Sequence, residues 1–291
     1  METGNSNTSS ARKVILLILL FLWISFLLYF AVMSAIAPSR KLAEIKKQYS
    51  QVQPDKTTAD KKGGDRKNNV KKETGKKESE KKESDNRIQT DEDYINRLRD
   101  RAFLQSRIIM AETDSIYLTV NFLDSTMNLE ISGVVVHTAH MKKFRASSIL
   151  AKGNETIVSS MLATPLSIVS DIATIKKEPV MIKMAPKDTS EYKPDIMPDT
   201  SLTEPVNYIL EMTNGIRIYV YQDETEKKVD RVAAFRFDMD DRLKLTMDAL
   251  KSVLSFKVPE YHPFIKIRLP RSDAKIIYRA IPKNGQITLF M

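Results

Sequence analysis

The chain of 291 residues contains no cysteine. That absence excludes a disulfide-stapled module, a cysteine-ligated zinc or iron–sulfur centre, and a thiol enzyme. Gly-rich phosphate loops and dinucleotide fingerprints are missing as well. The three histidines do not gather. His137 and His140 fall three apart on an expected strand, which sends their side chains to opposite faces, and His262 stands between Tyr261 and Pro263 in an expected loop. Asp238-Met239-Asp240-Asp241 lacks the Asp-x-Asp-x-Asp-Gly spacing of a calcium loop and reads instead as a helix N-cap with acidic dipole complementation. No metal or cofactor is expected.

A concentrated positive charge is lacking where it would matter most. The formal net charge is +9, but residues 1–54 carry +4, residues 55–87 another +4, and residues 88–291 only +1. A nearly neutral folded part argues against a basic duplex-binding face, so nucleic acid is not an expected partner.

What is present begins with Val14–Ala37, twenty-four residues without a charge. At about 1.5 Å per residue such a helix crosses a ~30 Å hydrocarbon core. The run is longer than a signal-peptide core of roughly 7–15 residues, although Ala35-Ile36-Ala37 has the small-x-small form of a cleavage site. Without Asp, Glu, Lys or His the span has no intramembrane proton carrier, unlike the single spans of proton-driven motor stators. Arg12 and Lys13 precede it, whereas Arg40, Lys41, Lys46, Lys47 and Lys56 follow it. The count alone favours a cytoplasmic C-terminal part. Long domains, however, translocate largely regardless of charge.

Residues 38–87 are poor in apolar side chains and end in the repeat KKETG-KKESE-KKESD. Ordering such a composition costs entropy with little burial in return, so a solvated tether is expected, with an end-to-end distance of about 40 Å as a flexible coil. Thr90-Asp91-Glu92-Asp93 has the form of a helix start, and Tyr94, Ile95, Leu98, Ala102, Gln105 and Ile109 follow at helical spacing, flanked by arginines read as a solvated face. The expected organisation is a tail (1–13), a transmembrane helix (14–37), a charged linker (38–87), a lead-in helix (88–114) and a folded domain (115–291).

Within that domain, alternation predicts strands at Ile116–Phe122, Met127–Ser132 and Val134–Thr138. A further strand is expected at Val180–Met184 and a hairpin at Val206–Gln222, where Asn214-Gly215 suits a two-residue type I′ turn. Asp238–Leu254 reads as a helix with Leu243, Met247, Leu250 and Leu254 on one face. Strand Phe264–Leu269, a helix from near Ser272 and strand Gln286–Phe290 close the chain. The class is α+β, with a mostly antiparallel, β-rich domain and a few helices.

The closing segment Ile267-Arg268-Leu269-Pro270-Arg271-Ser272-Asp273-Ala274, continuing to Pro282 and ending Gly285-Gln286-Ile287-Thr288-Leu289, resembles the end of L,D-transpeptidase catalytic domains. In those cell-wall cross-linking enzymes a Ser-His-Gly-Cys-Ile-Arg-Leu pattern precedes a short helix and a last strand. Ile116–Ser147 is similar to the start of that domain, and Thr164-Pro165 to its Thr-Pro turn. The resemblance puts the family's cysteine on Lys266, its glycine on Ile265, its histidine on Phe264 and its serine on Pro263, and keeps its arginine as Arg268. It implies a pseudoenzyme, because acyl transfer needs the thiolate and its imidazole. Lys266 is then either an amine nucleophile or an ordinary strand lysine. Arg268 either clamps a peptide-stem carboxylate or pairs with Asp273.

These readings combine into a single-pass protein of a bacterial cytoplasmic (inner) membrane, its C-terminal domain periplasmic. It is expected to be non-catalytic and to bind or scaffold at peptidoglycan or at another envelope protein. The alternative is a structural subunit of a secretion or energy-transducing machine without peptidoglycan affinity.

Overall fold

The computed structural model describes residues 6–49, 76–151, 153, 155–177, 204–224 and 227–291. The expected strand at 180–184 lies outside them, as do residues 50–75 of the expected linker. The chain divides into two compact units, Met1–Ile45 with Asp238–Tyr261, and Lys46–Phe237 with His262–Met291.

The first unit contains most of helix α1 (Ser6–Tyr49) and the C-terminal part of helix α5 (Lys228–Leu254). Among the described residues α1 is the one helix long and apolar enough to cross a membrane. It continues through Pro38, which cannot donate the backbone bond to the carbonyl four residues back, and so takes in the start of the stretch read as a tether. From Leu16 to Ser25 the helix is exposed on every side. From Phe26 onward one face, which includes Tyr29, Phe30, Met33, Ala37, Lys41 and Ile45, loses exposure with helical periodicity. The Tyr29 ring lies 6.4 Å from that of Phe256, and Lys41 lies 3.7 Å from Glu260.

The second unit opens with helix α2 (Lys76–Ala111), which begins well before Thr90. Among the described residues it holds nine strands: β1 (Tyr117–Asn121), β2 (Thr126–Ile131), β3 (Val134–His140), β4 (Lys143–Ala146), β5 (Leu166–Ala173), β6 (Asn207–Met212), β7 (Arg217–Gln222), β8 (Phe264–Leu269) and β9 (Gln286–Phe290). Helices α3 (Ser148–Ala151), α4 (Glu155–Leu162) and α6 (Arg271–Ala280) accompany them. The strands join in the order β3-β2-β1-β9-β5-β6-β7-β8-β4, antiparallel except for the β1–β9 and β7–β8 pairs. Strands β3 and β4 stand at opposite ends of this order although only Met141 and Lys142 separate them in sequence. The sheet must therefore curl until its two ends meet, and the backbone bonds Met141 N–H to Ser125 O (2.8 Å) and Lys142 N–H to Arg268 O (2.9 Å) mark that corner.

Strand β5 makes the opposite corner. Leu166 and Ser167 pair with β9, whereas Ile168 to Ala173 pair with β6, and the change of partner coincides with a register shift at Val169. Such bulges let one strand serve two packed layers. The core lies on the inward faces, where Leu118, Val120, Met127, Leu129, Ile287 and Leu289 are buried on one side and Leu210, Ile218, Val220, Ile265 and Ile267 on the other. Helix α6 bridges both sides: Asp273 lies 3.5 Å from His137 of β3, and the Tyr278 ring lies 4.9 Å from Tyr208 of β6. The Tyr278 hydroxyl also donates to Asp171 of β5 at 2.8 Å.

Outside the curl, α2 covers β1, β2 and β9. Phe103 meets Phe290 at 4.9 Å, and Arg107 donates to Glu130 at 2.8 Å. Glu130 is only 1% exposed, so Arg107 balances a buried charge rather than standing on a solvated face. Burial and a hydrogen bond to Glu130 push the Tyr117 hydroxyl above its ordinary pKa, and the same oxygen accepts the Gly133 N–H at 3.0 Å. Gly133 follows Ser132 in the β2–β3 turn, and both have positive φ (83° and 49°), the type I′ geometry. The expected type I′ turn at Asn214-Gly215 is instead a three-residue loop. Asn214 keeps negative φ, Gly215 takes φ 78°, and the Gly215 N–H bonds to Met212 O at 2.8 Å, which is a type I turn closed by a glycine bulge.

Two outcomes test this packing in the full chain in detergent micelles. Arg107→Ala strands the Glu130 carboxylate and should cost about 3–5 kcal/mol in urea unfolding. Burial, and then the bond to the Asp171 carboxylate, raise the Tyr278 hydroxyl well above 10.0, so the folded state keeps this proton at a pH where the unfolded state releases it. Its contribution is therefore complete below 10.0 and declines as the pH rises beyond that value. The stability difference between wild type and Tyr278→Phe should shrink over the same alkaline range.

Candidate functional site

Strand β8 alternates strictly. Ile265, Ile267 and Leu269 are fully buried, so Phe264, Lys266 and Arg268 share the opposite face. All three residues singled out in the sequence thus lie together on the outward side of one strand. On β7 the residues in register are Arg217 beside Phe264, Tyr219 beside Lys266 and Tyr221 beside Arg268. On β4, Arg145 pairs with Lys266 and Lys143 with Arg268.

The face therefore has an aromatic half and a cationic half. The Lys266 Nζ lies 5.0 Å from the Tyr219 ring centroid, 5.5 Å from Tyr221 and 6.0 Å from Phe264. Tyr219 stacks near Tyr221 at 6.4 Å and meets Phe264 edge-on at 6.4 Å. Arg217 approaches the Tyr219 ring at 5.7 Å and donates to its hydroxyl at 3.2 Å. Each such ammonium or guanidinium contact is worth roughly 0.5–2 kcal/mol. Lys266 is half-buried and engaged by three rings, so the plain solvent-facing lysine is not what the fold builds.

Lys143, Arg145, Lys266 and Arg268 form a two-by-two grid, about 5 Å across strands and about 7 Å along them. Like charges placed directly opposite destabilise a sheet. Lys143, Arg145 and Arg268 are exposed, and none makes an ion pair among the described residues. Asp273, the partner considered for Arg268, lies beside His137 instead. The grid is not visible in the sequence, because Lys143-Phe144-Arg145-Ala146 is too short to announce itself as a strand.

Basic side chains at strand spacing give this face the means to recognise an anion. Phe264 supplies neither base nor nucleophile, His262 lies 4.0 Å from Glu211, and among the described residues no group of three or more His, Asp or Glu side chains could hold a metal ion. Asp238 and Asp241, read as a helix cap, lie inside α5, where Asp238 accepts from Arg242 at 2.7 Å. A separate cavity of about 250 Å³ lies between α2, α4 and β9. Ala102, Phe103, Phe122, Phe144, Leu162 and Phe290 contribute its apolar walls, and the Arg99–Glu155 pair at 3.0 Å stands beside them.

Lys143 and Arg268 stand directly opposite each other as like charges, so relieving their repulsion should stabilise the domain. Lys143→Glu, which sets opposite charges across from each other at Arg268, should raise stability by about 0.2–1 kcal/mol in urea unfolding at low salt, and the gain should fade as salt is added. No family model, curated protein or solved structure matches the chain.

Proposed function

We propose that the protein is a single-pass anchor of a bacterial cytoplasmic membrane that presents a non-catalytic, L,D-transpeptidase-like domain in the periplasm and uses the β4–β8 face to hold a carboxylate-bearing partner, the peptide stems of peptidoglycan. The observation that carries this reading is the four-cation grid beside Tyr219, Tyr221 and Phe264, at the strand where the resemblance puts a catalytic thiol and imidazole. A guanidinium can grip a carboxylate through two parallel hydrogen bonds, and adjacent aromatic faces add apolar contact.

A second reading, a structural subunit of a secretion or energy-transducing complex, is favoured by another observation. On α5 the side chains of Met239, Leu243, Met247 and Leu254 form a stripe at helical spacing, and all four are exposed. Leu243, Met247 and Leu254 belong to the face that the spacing in the sequence predicts. An apolar helix face left open suits a partner helix.

The orientation is tested by a reporter active only outside the cytoplasm, fused after Met291, which should be active; a signal only from a cytoplasmic reporter removes the envelope reading. Purified sacculi should retain the wild-type protein, and Arg268→Ala should weaken retention by about 1.5–3 kcal/mol without lowering stability in urea unfolding. No retention of the wild type, with a complex-sized particle that shrinks in Leu243→Glu/Met247→Glu, would favour the machine subunit instead.

A further inference from the structure

Helix α5 ends in a Schellman motif. The Lys257 N–H bonds to Ser252 O at 2.9 Å and the Phe256 N–H to Val253 O at 3.0 Å, which puts Phe256 at the left-handed position just past the helix, with φ 56°. Glycine is the ordinary occupant there, because a Cβ is strained at positive φ. Here the position carries an aromatic residue that is 81% exposed, next to Leu254 at 61%. Both features cost free energy in water, and the described residues leave most of the Phe256 ring uncovered.

The place of this turn says what offsets them. Its ring neighbour is Tyr29 of α1, 6.4 Å away. Tyr29 lies eight residues before the end of the uncharged run at Ala37. A hydrocarbon core of ~20 residues counted from Val14 ends near Met33, so Tyr29 sits about 6 Å inside that boundary. Four residues after Phe256 the chain is back at the charged end of α1, where Glu260 meets Lys41. Lys251 and Lys257 flank the turn and are exposed, placed to meet lipid headgroups.

We propose that the Leu254–Phe256 turn is a second membrane contact, an interfacial anchor that dips beside Tyr29 into the leaflet on the side of the C-terminal domain. The lipid interface accepts an aromatic ring with lysines beside it, at the depth of about 5–10 Å typical of peripheral apolar insertions. The anchor holds the end of α5 against the bilayer at the point where α1 leaves it. This inference rests on the reading of α1 as a membrane span.

Trp23 is the chain's single tryptophan and lies in α1, so it reports on the span independently. The full chain is reconstituted in phosphatidylcholine vesicles, as wild type and as W23F/F256W. In the double variant the one indole stands at position 256. Its fluorescence should be quenched at least twofold more by lipids brominated near the headgroup than by lipids brominated near the chain end, and little by iodide. Quenching of that indole by iodide alone, with Trp23 of the wild type still quenched by brominated lipid, rejects the anchor and leaves the span intact. Protection of the same indole from both quenchers means burial against protein, a second copy included, and rejects lipid as the occupant. Trp23 untouched by any brominated lipid removes the span and the anchor together. Because the chain has no cysteine, a nitroxide on F256C gives the same depth through oxygen and nickel-complex accessibility, and agreement between the probes excludes an artefact of the tryptophan.

Discussion

Two residues set the architecture of the sheet domain. Met141 and Lys142 are all that separates β3 from β4, yet these strands occupy the two ends of a nine-strand order. A flat sheet of nine strands would span about 40 Å at ~4.8 Å per strand, far more than two residues can bridge. The sheet must therefore curl, and the bulge in β5 supplies the bend on the other side. Once it has curled, the inward faces make an apolar core and every strand presents a second face outward. The cationic grid results from that closure, since it brings β4 alongside β8 and so places Lys143 and Arg145 across from Arg268 and Lys266.

Helix packing then depends on a few charged contacts rather than on apolar area alone. Arg107 ties α2 to Glu130 in the outer seam, where Thr119 and Thr288 are also buried. Arg271 has the corresponding role at the start of α6. Its guanidinium donates to the buried Asp230 at 2.6 Å and to Gln222 at 3.1 Å, while its backbone N–H donates to Glu224 at 2.8 Å. One side chain thus fixes the end of β7, the beginning of α5 and the beginning of α6 relative to one another. Breaking such a pair is costlier than never having formed it, because the remaining charge stays buried.

Strict alternation makes most strands legible in the sequence. β8 and β9 fall where their pattern puts them, and β1, β2, β3, β6 and β7 differ only by a residue or two at their ends. β4 escapes because four residues carry no period, and β5 because Leu166-Ser167-Ile168-Val169-Ser170 breaks its alternation at the bulge through which it changes partners. α5 begins ten residues earlier than the sequence suggests. Asp238, Asp240 and Asp241 resemble a cap, but Asp230 already provides the acidic first turn, and an i,i+4 pair with Arg242 makes Asp238 acceptable inside the helix. The apolar stripe of α5 is legible as a stripe, but not as an open one, since periodicity reports that a face exists and not what lies against it. The same limit applies to the site: alternation puts Phe264, Lys266 and Arg268 on one face, but the aromatic and basic neighbours that give the face its character come from pairing across strands.

That cross-strand origin bears on the proposed role. An active site built on the same strand would need a nucleophile and a base within hydrogen-bond reach of each other, a demand on two side chains at fixed geometry. A binding face makes a looser demand, namely several charges of one sign at strand spacing with apolar area beside them. The sheet meets it at a cost where Lys143 and Arg268, both exposed, stand directly opposite each other as like charges. An anion seated between Lys143 and Arg268 would turn that repulsion into attraction, so the pair that weakens the unbound sheet would strengthen the bound one. Binding at such a site is therefore coupled to the stability of β4, which among the described residues depends on β8 for its strand pairing and on the Met141–Lys142 corner for its position.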